Sequence, residues 1–256
     1  MGYILAIVIG VVLGLIGGGG SILAVPILVY ILGVNPIQAT AYSLFIVGLS
    51  ALIGARKHYQ LGNINFKIGI LFAAPSFIGV FLSRKWLLPA IPHKLLELNS
   101  FILFKDSFLM ILFAILMLFA AYSMLSRKVL NQKPINQINI LKITLDGFIV
   151  GIVTGLVGAG GGFLIVPALI LFSGLEMKKA IGTSLMIIAI KSLFGFLGAW
   201  QYSIDWSILF PFTALSISGI FLGIYLGKSL NGHALKKSFA IFVLLMSITI
   251  IFVEVF

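Results

Sequence analysis

The 256 residues are 61% hydrophobic and only 9% charged, with a mean hydropathy of +1.23 and a formal net charge of +11. Soluble domains carry roughly a quarter charged residues, and a water-soluble fold cannot hide this much apolar surface, so the composition specifies a chain solvated by lipid. The basic residues sit in short gaps between apolar runs, which argues against nucleic-acid binding and for cytoplasmic loops beside anionic lipid, and the lack of cysteine excludes disulfides and thiolate chemistry.

A helix crossing the hydrocarbon needs ~20 residues. The apolar pattern predicts helical segments at 3–32, 39–55, 66–83, 107–125, 141–173, 180–202, 206–227 and 235–255. Their lengths and the lack of strict alternation select helices over strands, so an all-α polytopic membrane protein is expected. The first run starts at Tyr3 with no basic region before it and reads as part of the mature fold. Stretch 86–106 is mixed in polarity and is expected along the membrane interface. Residues 127–139 are the most polar and read as a linker between repeat 1 (1–126) and repeat 2 (140–256). Trp86, Trp200, Trp206, Tyr59 and Tyr202 flank segments as an interfacial belt does. His58, His93 and His233 are expected in loops or at interfaces, and Asp205 and Glu254 in solvent near segment ends. No metal-ligand spacing occurs, so neither metal nor cofactor is expected.

The two halves are copies. At a separation of 141 residues Gly10 matches Gly151, Gly14 matches Gly155 and Gly17 matches Gly158. The series continues through Gly19/Gly160, Gly20/Gly161, Pro26/Pro167, Gly33/Gly174, Ala39/Ala180, Ser43/Ser184, Leu44/Leu185 and Gly54/Gly195. It resumes at 140 with Ile64/Ile204, Gly79/Gly219 and His93/His233. Ordered matches that include Pro, Ser and Ala are the mark of internal duplication, common among secondary transporters.

The first segment of each copy is too long for one crossing: 3–32 would make ~45 Å of helix against ~30 Å of hydrocarbon. Its middle is Gly17, Gly18, Gly19, Gly20 and Ser21, followed by Pro26; the partner reads Gly158, Ala159, Gly160, Gly161 and Gly162, followed by Pro167. Each glycine costs about 1 kcal/mol of helix propensity relative to alanine, so such a run predicts a break. A re-entrant hairpin is expected, with a half-helix returning from a glycine turn near the midplane. The competing reading is that these glycines only let helices pack closely.

Charge counting bears on this. If all eight segments cross, one side takes seven basic residues and the other nine, which is no bias. If segments one and five are re-entrant, twelve collect on one side and only Arg84, Lys85, Lys94 and Lys105 remain on the other. The second arrangement obeys the positive-inside rule. It makes the repeats inverted and puts both termini outside the cytoplasm.

Two half-helices would then direct their N-termini at the membrane centre from opposite sides. A helix N-terminus presents unpaired N–H groups and about half a positive charge, and glycine lets an oxyanion approach the backbone. Lys191 lies in the middle of segment 180–202 with no acid in that segment, so a bound anion is its expected counter-ion. The alternative is a structural partner such as Asp146 or a carbonyl. Ser43, Thr183 and Ser184 open the segments after the hairpins, where their hydroxyls either line the path or bond their own helices.

The tandem Gly-Leu-Ile-Gly-Gly-Gly-Gly-Ser-Ile-Leu-Ala-Val-Pro and Gly-Leu-Val-Gly-Ala-Gly-Gly-Gly-Phe-Leu-Ile-Val-Pro, with Ala-Ile-Gly-Thr-Ser-Leu after the second, resembles the TauE/SafE sulfite-exporter family over essentially the whole chain. The first copy departs in having Tyr42 where the second has Thr183. The resemblance implies a transporter of sulfite, a sulfonate or a related small organic anion in the bacterial cytoplasmic membrane. The expected function is alternating-access export or uptake of a small anion, with a coupling cation for import; the alternatives are a passive anion channel and a non-transporting membrane scaffold. Neither catalysis nor a nucleic-acid partner is expected, and the oligomeric state is not legible.

Overall fold

The structure is a computed structural model that describes every residue except Met1, Gly19, His93, Asn99, Ser100, 127–138, 158–161, 199–203 and Phe256. The linker reading therefore lies outside the described residues save Asn139. The fold is an all-α helical bundle. Helices α1 (Gly2–Ile16) and α2 (Gly20–Pro26) replace the first predicted segment, and a π-helical turn, Ile27–Ile31, continues α2. Pro26 ends α2; a proline removes one N–H from the ladder and crowds the preceding turn, which favours this local widening. Next come α3 (Pro36–Gln60) and α4 (Phe66–Leu82), which runs into a second π turn, Ser83–Leu87.

In the stretch expected along the interface, the single turn α5 (Leu88–Ala90) leads to a short antiparallel hairpin of β1 (Lys94–Leu98) and β2 (Phe101–Phe104). Helix α6 (Lys105–Ser126) follows. The second half holds α7 (Ile140–Val157), α8 (Gly162–Leu171), α9 (Met177–Gly198), α10 (Trp206–Ser229) and α11 (Gly232–Val255).

Among the described residues five helical stretches are long and apolar enough to cross a membrane: Gln38–Gln60, Phe66–Leu87, Met177–Leu197, Trp206–Ser229 and Gly232–Phe252. Helix α6 has 22 residues, with a shorter apolar core of Ser107–Tyr122. Side chains such as Ile4, Phe119, Tyr122, Tyr225 and Phe252 are 64–73% exposed, an outer surface that suits acyl chains and not water. Phe72, Phe163, Phe212 and Phe239 are fully buried at the centre.

The packing is crossed between halves: α1 lies on α10, α7 on α4, α3 on α9 and α6 on α11. Small residues set the first two contacts. A Cβ on Gly10 would lie 1.9 Å from the Ser216 carbonyl oxygen, and one on Gly219 would lie 2.2 Å from that of Ile7. On the other side a Cβ on Gly151 would meet the Ser76 oxygen at 2.2 Å, and one on Gly79 the Phe148 oxygen at 2.4 Å. Close backbone approach of this kind is how helices associate in lipid, where no hydrophobic force draws them together.

Helices α3 and α9 run antiparallel, since Gly48 faces Ser192 and Leu193 while Gly54 faces Leu185. At one end of the bundle Asn63 from the α3–α4 loop, Lys178 at the start of α9 and Lys228 at the end of α10 line a single cavity of about 410 Å³.

Candidate functional site

The glycine run of the first copy is a chain reversal. Gly17 closes α1 with its N–H donating to the Leu13 carbonyl at 2.7 Å, and its φ of +77° is the left-handed value at which glycine avoids a Cβ clash. The chain then folds back, because a Cβ on Gly20 would lie 2.7 Å from the Ile9 carbonyl oxygen of α1. Gly10 and Gly14 belong to the close packing against α10, whereas Gly17 and Gly18 form the turn. The turn glycines pack closely as well, since a Cβ on Gly17 would lie 2.8 Å from the Ile181 Cα. Gly19, Gly158, Ala159, Gly160 and Gly161 lie outside the described residues, as does the Ser21 side chain.

The two halves of the chain meet at this turn. A Cβ on Gly18 would lie 2.3 Å from the Gly162 carbonyl oxygen and 3.0 Å from the Phe163 Cα, so the first turn abuts the start of α8. Ser184 on α9, fully buried, holds the turn: its hydroxyl lies 2.7 Å from the Gly17 carbonyl oxygen and 2.8 Å from that of Ile181, and its one proton is shared between them. The half-helix α8 and α2 with its π-helical extension therefore begin side by side. A helix start carries the positive end of the backbone dipole.

The other predicted residues go elsewhere. Thr183, also fully buried, accepts a hydrogen bond at 3.0 Å from the backbone N–H of Asn65, whose own side chain caps α4 by accepting from the Ile68 N–H. Tyr42 does the same work at the other end of the bundle: its hydroxyl accepts from the backbone N–H of Asp205, the residue that caps α10. Different side chains thus make the same tie, each fixing the first turn of a helix in the opposite half. Asp205 is solvent-exposed as expected, and the Ser207 hydroxyl and amide hold its carboxyl below the usual carboxylate range. Ser43 is buried within α3, 7% exposed.

Lys191 does not sit at the glycine junction. It lies seven residues along α9 from Ser184, a rise of ~10 Å. Its ammonium donates to Ser76 of α4 at 3.1 Å and reaches Thr154 of α7 at 3.4 Å. Thr154 in turn donates to the Gly151 carbonyl, about two turns before the second glycine run. Ser50 and Ser216 pair at 3.0 Å across α3 and α10. Ser76, Thr154 and Asn65 escape a reading by residue type, because hydroxyls and amides in apolar helices carry no local signature. Offset carries one: Ser76 and Ser216 stand 140 residues apart, as do Asn65 and Asp205, and Ser50 and Lys191 stand 141 apart.

His58 corrects the expectation for the histidines. It lies on α3, is only 6% exposed, and among the described residues neither ring nitrogen has a hydrogen-bond partner. His233 is exposed on α11 and His93 lies outside the described residues. Of the expected aromatic belt, Trp86 and Tyr59 are 60% and 61% exposed and Trp206 37%, whereas Trp200 and Tyr202 lie outside the described residues.

Comparison with known proteins agrees with this architecture. The chain is 31% identical over 254 residues to a probable membrane transporter protein of Xylella fastidiosa strain Temecula1, covering 95% of this chain and 91% of that protein. It is 25% identical over 216 residues to the probable membrane transporter protein YdhB of Bacillus subtilis, covering 84% of each. A probable membrane transporter protein of Haemophilus influenzae is 26% identical over 259 residues, covering 93% of this chain and 92% of that protein. No solved structure matches the chain. Residues 3–250 match the family described as sulfite exporter TauE/SafE, and this multi-pass membrane transporter belongs to that family.

Proposed function

We propose that the protein is a secondary carrier for a small anion: sulfite, an organosulfonate, or a related sulfur oxyanion or organic acid. It works by alternating access in the bacterial cytoplasmic membrane and does no catalysis. The observation that carries this reading is the junction of the first glycine turn with the start of α8, where Gly18 abuts Gly162 and Ser184 holds the Gly17 carbonyl. Such a junction sets two helix starts side by side, and helix starts carry the positive end of the backbone dipole that an oxyanion favours. Lys191, held by hydroxyls of α4 and α7, adds positive charge nearby and sets the sign of the cargo.

The repeats are inverted in this reading. Support comes from the antiparallel run of α3 and α9 and from the two glycine crossings, which fall at positions that the 140- and 141-residue offsets equate. The cavity bears on sidedness as well. It joins the α3–α4 loop to residues at the start of α9 and the end of α10, whereas eight crossings would place that loop opposite the other two. The basic loops then face the cytoplasm and its anionic lipids, and both termini lie outside. Export needs no partner ion, because the inside-negative potential favours anion efflux by ~2.3 kcal/mol per charge per 100 mV; import needs a coupling cation.

The test is flux in proteoliposomes with sulfite, sulfate, thiosulfate, sulfoacetate and carboxylates. Saturable flux that is lost in Lys191→Met, with the protein still folded, is expected. Flux that rises without saturation indicates a channel, no flux indicates a scaffold, and unchanged flux in Lys191→Met removes Lys191 from the site.

A further inference from the structure

A groove of about 580 Å³ runs along the outer face of α10 beside the end of α3. The two helices are parallel here. Ser50 pairs with Ser216, and a Cβ on Gly54 would lie 2.6 Å from the Ile220 Cδ1. Lys57, three residues further along α3, is therefore level with Gly223 and Ile224, and Lys228 lies about one turn beyond. Both lysines thus stand at the same end of the groove, where α3 closes at Gln60 and α10 at Ser229.

Below that end the lining is apolar and aromatic. Phe221, Leu222 and Tyr225 are exposed, and Ser218 closes the groove with its hydroxyl turned back to the Leu215 carbonyl. From Lys228 to Ser218 the helix rises ~15 Å, which is half of the ~30 Å hydrocarbon and so the depth of one leaflet. No carboxylate is among the described lining residues. Lys57 is half-buried, and Gln60 takes one of the three N–H donors of its ammonium at 3.3 Å. The arrangement belongs to one end of the molecule: the positions 141 residues after Lys57 and 140 before Lys228 hold Gly198 and Leu88.

We propose that this groove docks one anionic phospholipid. Its phosphate and headgroup lie between Lys57 and Lys228, and an acyl chain runs along Phe221, Leu222 and Tyr225 toward Ser218. Two cations at one end and a leaflet's depth of apolar surface below them fit the two parts of such a lipid. A free oxyanion would leave the apolar length bare. Lys57 lies in the first half of the chain and Lys228 in the second, so the lipid braces the α3–α10 contact between halves. Its place in the cytoplasmic leaflet rests on the inverted-repeat reading, whereas binding does not.

The experiment uses the full chain in a neutral maltoside detergent with equal amounts of dioleoyl phosphatidylglycerol and dioleoyl phosphatidylcholine. Lipids that stay bound are counted by native mass spectrometry. Retention of one phosphatidylglycerol in preference to phosphatidylcholine is expected. That preference should fall about tenfold or more in Lys57→Gln/Lys228→Gln, the scale set by two lysines beside anionic lipid. Arg56→Gln/Lys67→Gln, which removes the same charge outside the described lining, should keep it. Phe221→Ala, with both lysines in place, should release the lipid more readily. Equal retention of the two lipids, an unchanged preference in the first double variant, or an equal loss in the second overturns the proposal. So does displacement of the lipid by an equal concentration of glycerol 3-phosphate, which would make the occupant a free phosphate. A dimer that retains no lipid and is weakened by Tyr225→Ala also overturns it, assigning the face to a second copy of the chain. None of these readouts needs flux, so a failure of the transport reading is recognised separately in the proteoliposome assay.

Discussion

Gly17→Ala tests the glycine turn most directly. Alanine at φ +77° costs ~1–2 kcal/mol, because its Cβ crowds the following carbonyl. The same Cβ would stand 2.7 Å from the Ser184 Oγ and 2.8 Å from the Ile181 Cα. The serine can rotate, but the Cα belongs to the α9 backbone and cannot move without shifting that helix. Overpacking of this sort adds ~1–3 kcal/mol, for a total of roughly 2–5 kcal/mol. Gly33→Ala supplies the control, since its φ is +67° and a Cβ there meets nothing within 4 Å, leaving only the backbone strain. Reversible unfolding of both variants in mixed micelles, with sulfite flux measured in parallel, separates the two contributions. Gly17→Ala should be the less stable by the packing increment and should lose flux. Equal destabilisation of the two variants would refute the contact between the turn and α9.

Tyr42→Phe and Thr183→Val each leave a capping residue's backbone N–H without its acceptor. Each should cost ~1–3 kcal/mol in the same unfolding assay, with similar values for the two despite their different side chains. Asp205 gives a pH dependence. Its carboxyl is held below the ordinary aspartate value by Ser207, so its contribution to stability is present above that ordinary value and is lost as pH falls through the lower, folded-state value. Thermal melting of Asp205→Asn between neutral and acid pH should lack this component. A C-terminal tag should be accessible to protease in right-side-out vesicles, and a protected tag would reverse the proposed orientation.

Much of the architecture is legible in the chain, because it rests on local physics. Helix positions follow from apolar run length: predicted 206–227 and 235–255 become Trp206–Ser229 and Gly232–Val255. The break at Gly17 follows from the propensity of consecutive glycines, each of which disfavours the helix whatever surrounds it. The short β-hairpin was not legible, because in 86–106 neither a period of 2 nor one of 3.6 dominates.

What escaped is nonlocal. Nothing near Lys191 in the sequence announces Ser76 and Thr154, which arrive from helices 115 and 37 residues away. His58 reads as a loop-edge histidine, since Arg56, Lys57, Tyr59 and Gln60 around it are polar or amphipathic. Yet Gly182, 124 residues later, packs against its Cβ. Ser184 reads as a pathway hydroxyl, yet its contact is the carbonyl of Gly17, 167 residues earlier.

The sequence by itself determined that the chain lives in lipid, where its helices run, where two of them break, and that its halves carry one pattern, because composition, propensity and period act over a few residues at a time. Tertiary structure decided which glycines turn and which only pack, that the first turn meets α8, that Lys191 rests on hydroxyls away from that junction, and that one end of the bundle buries His58. Those outcomes depend on which helix faces lie against each other, and contacts between distant segments leave no trace in the local pattern.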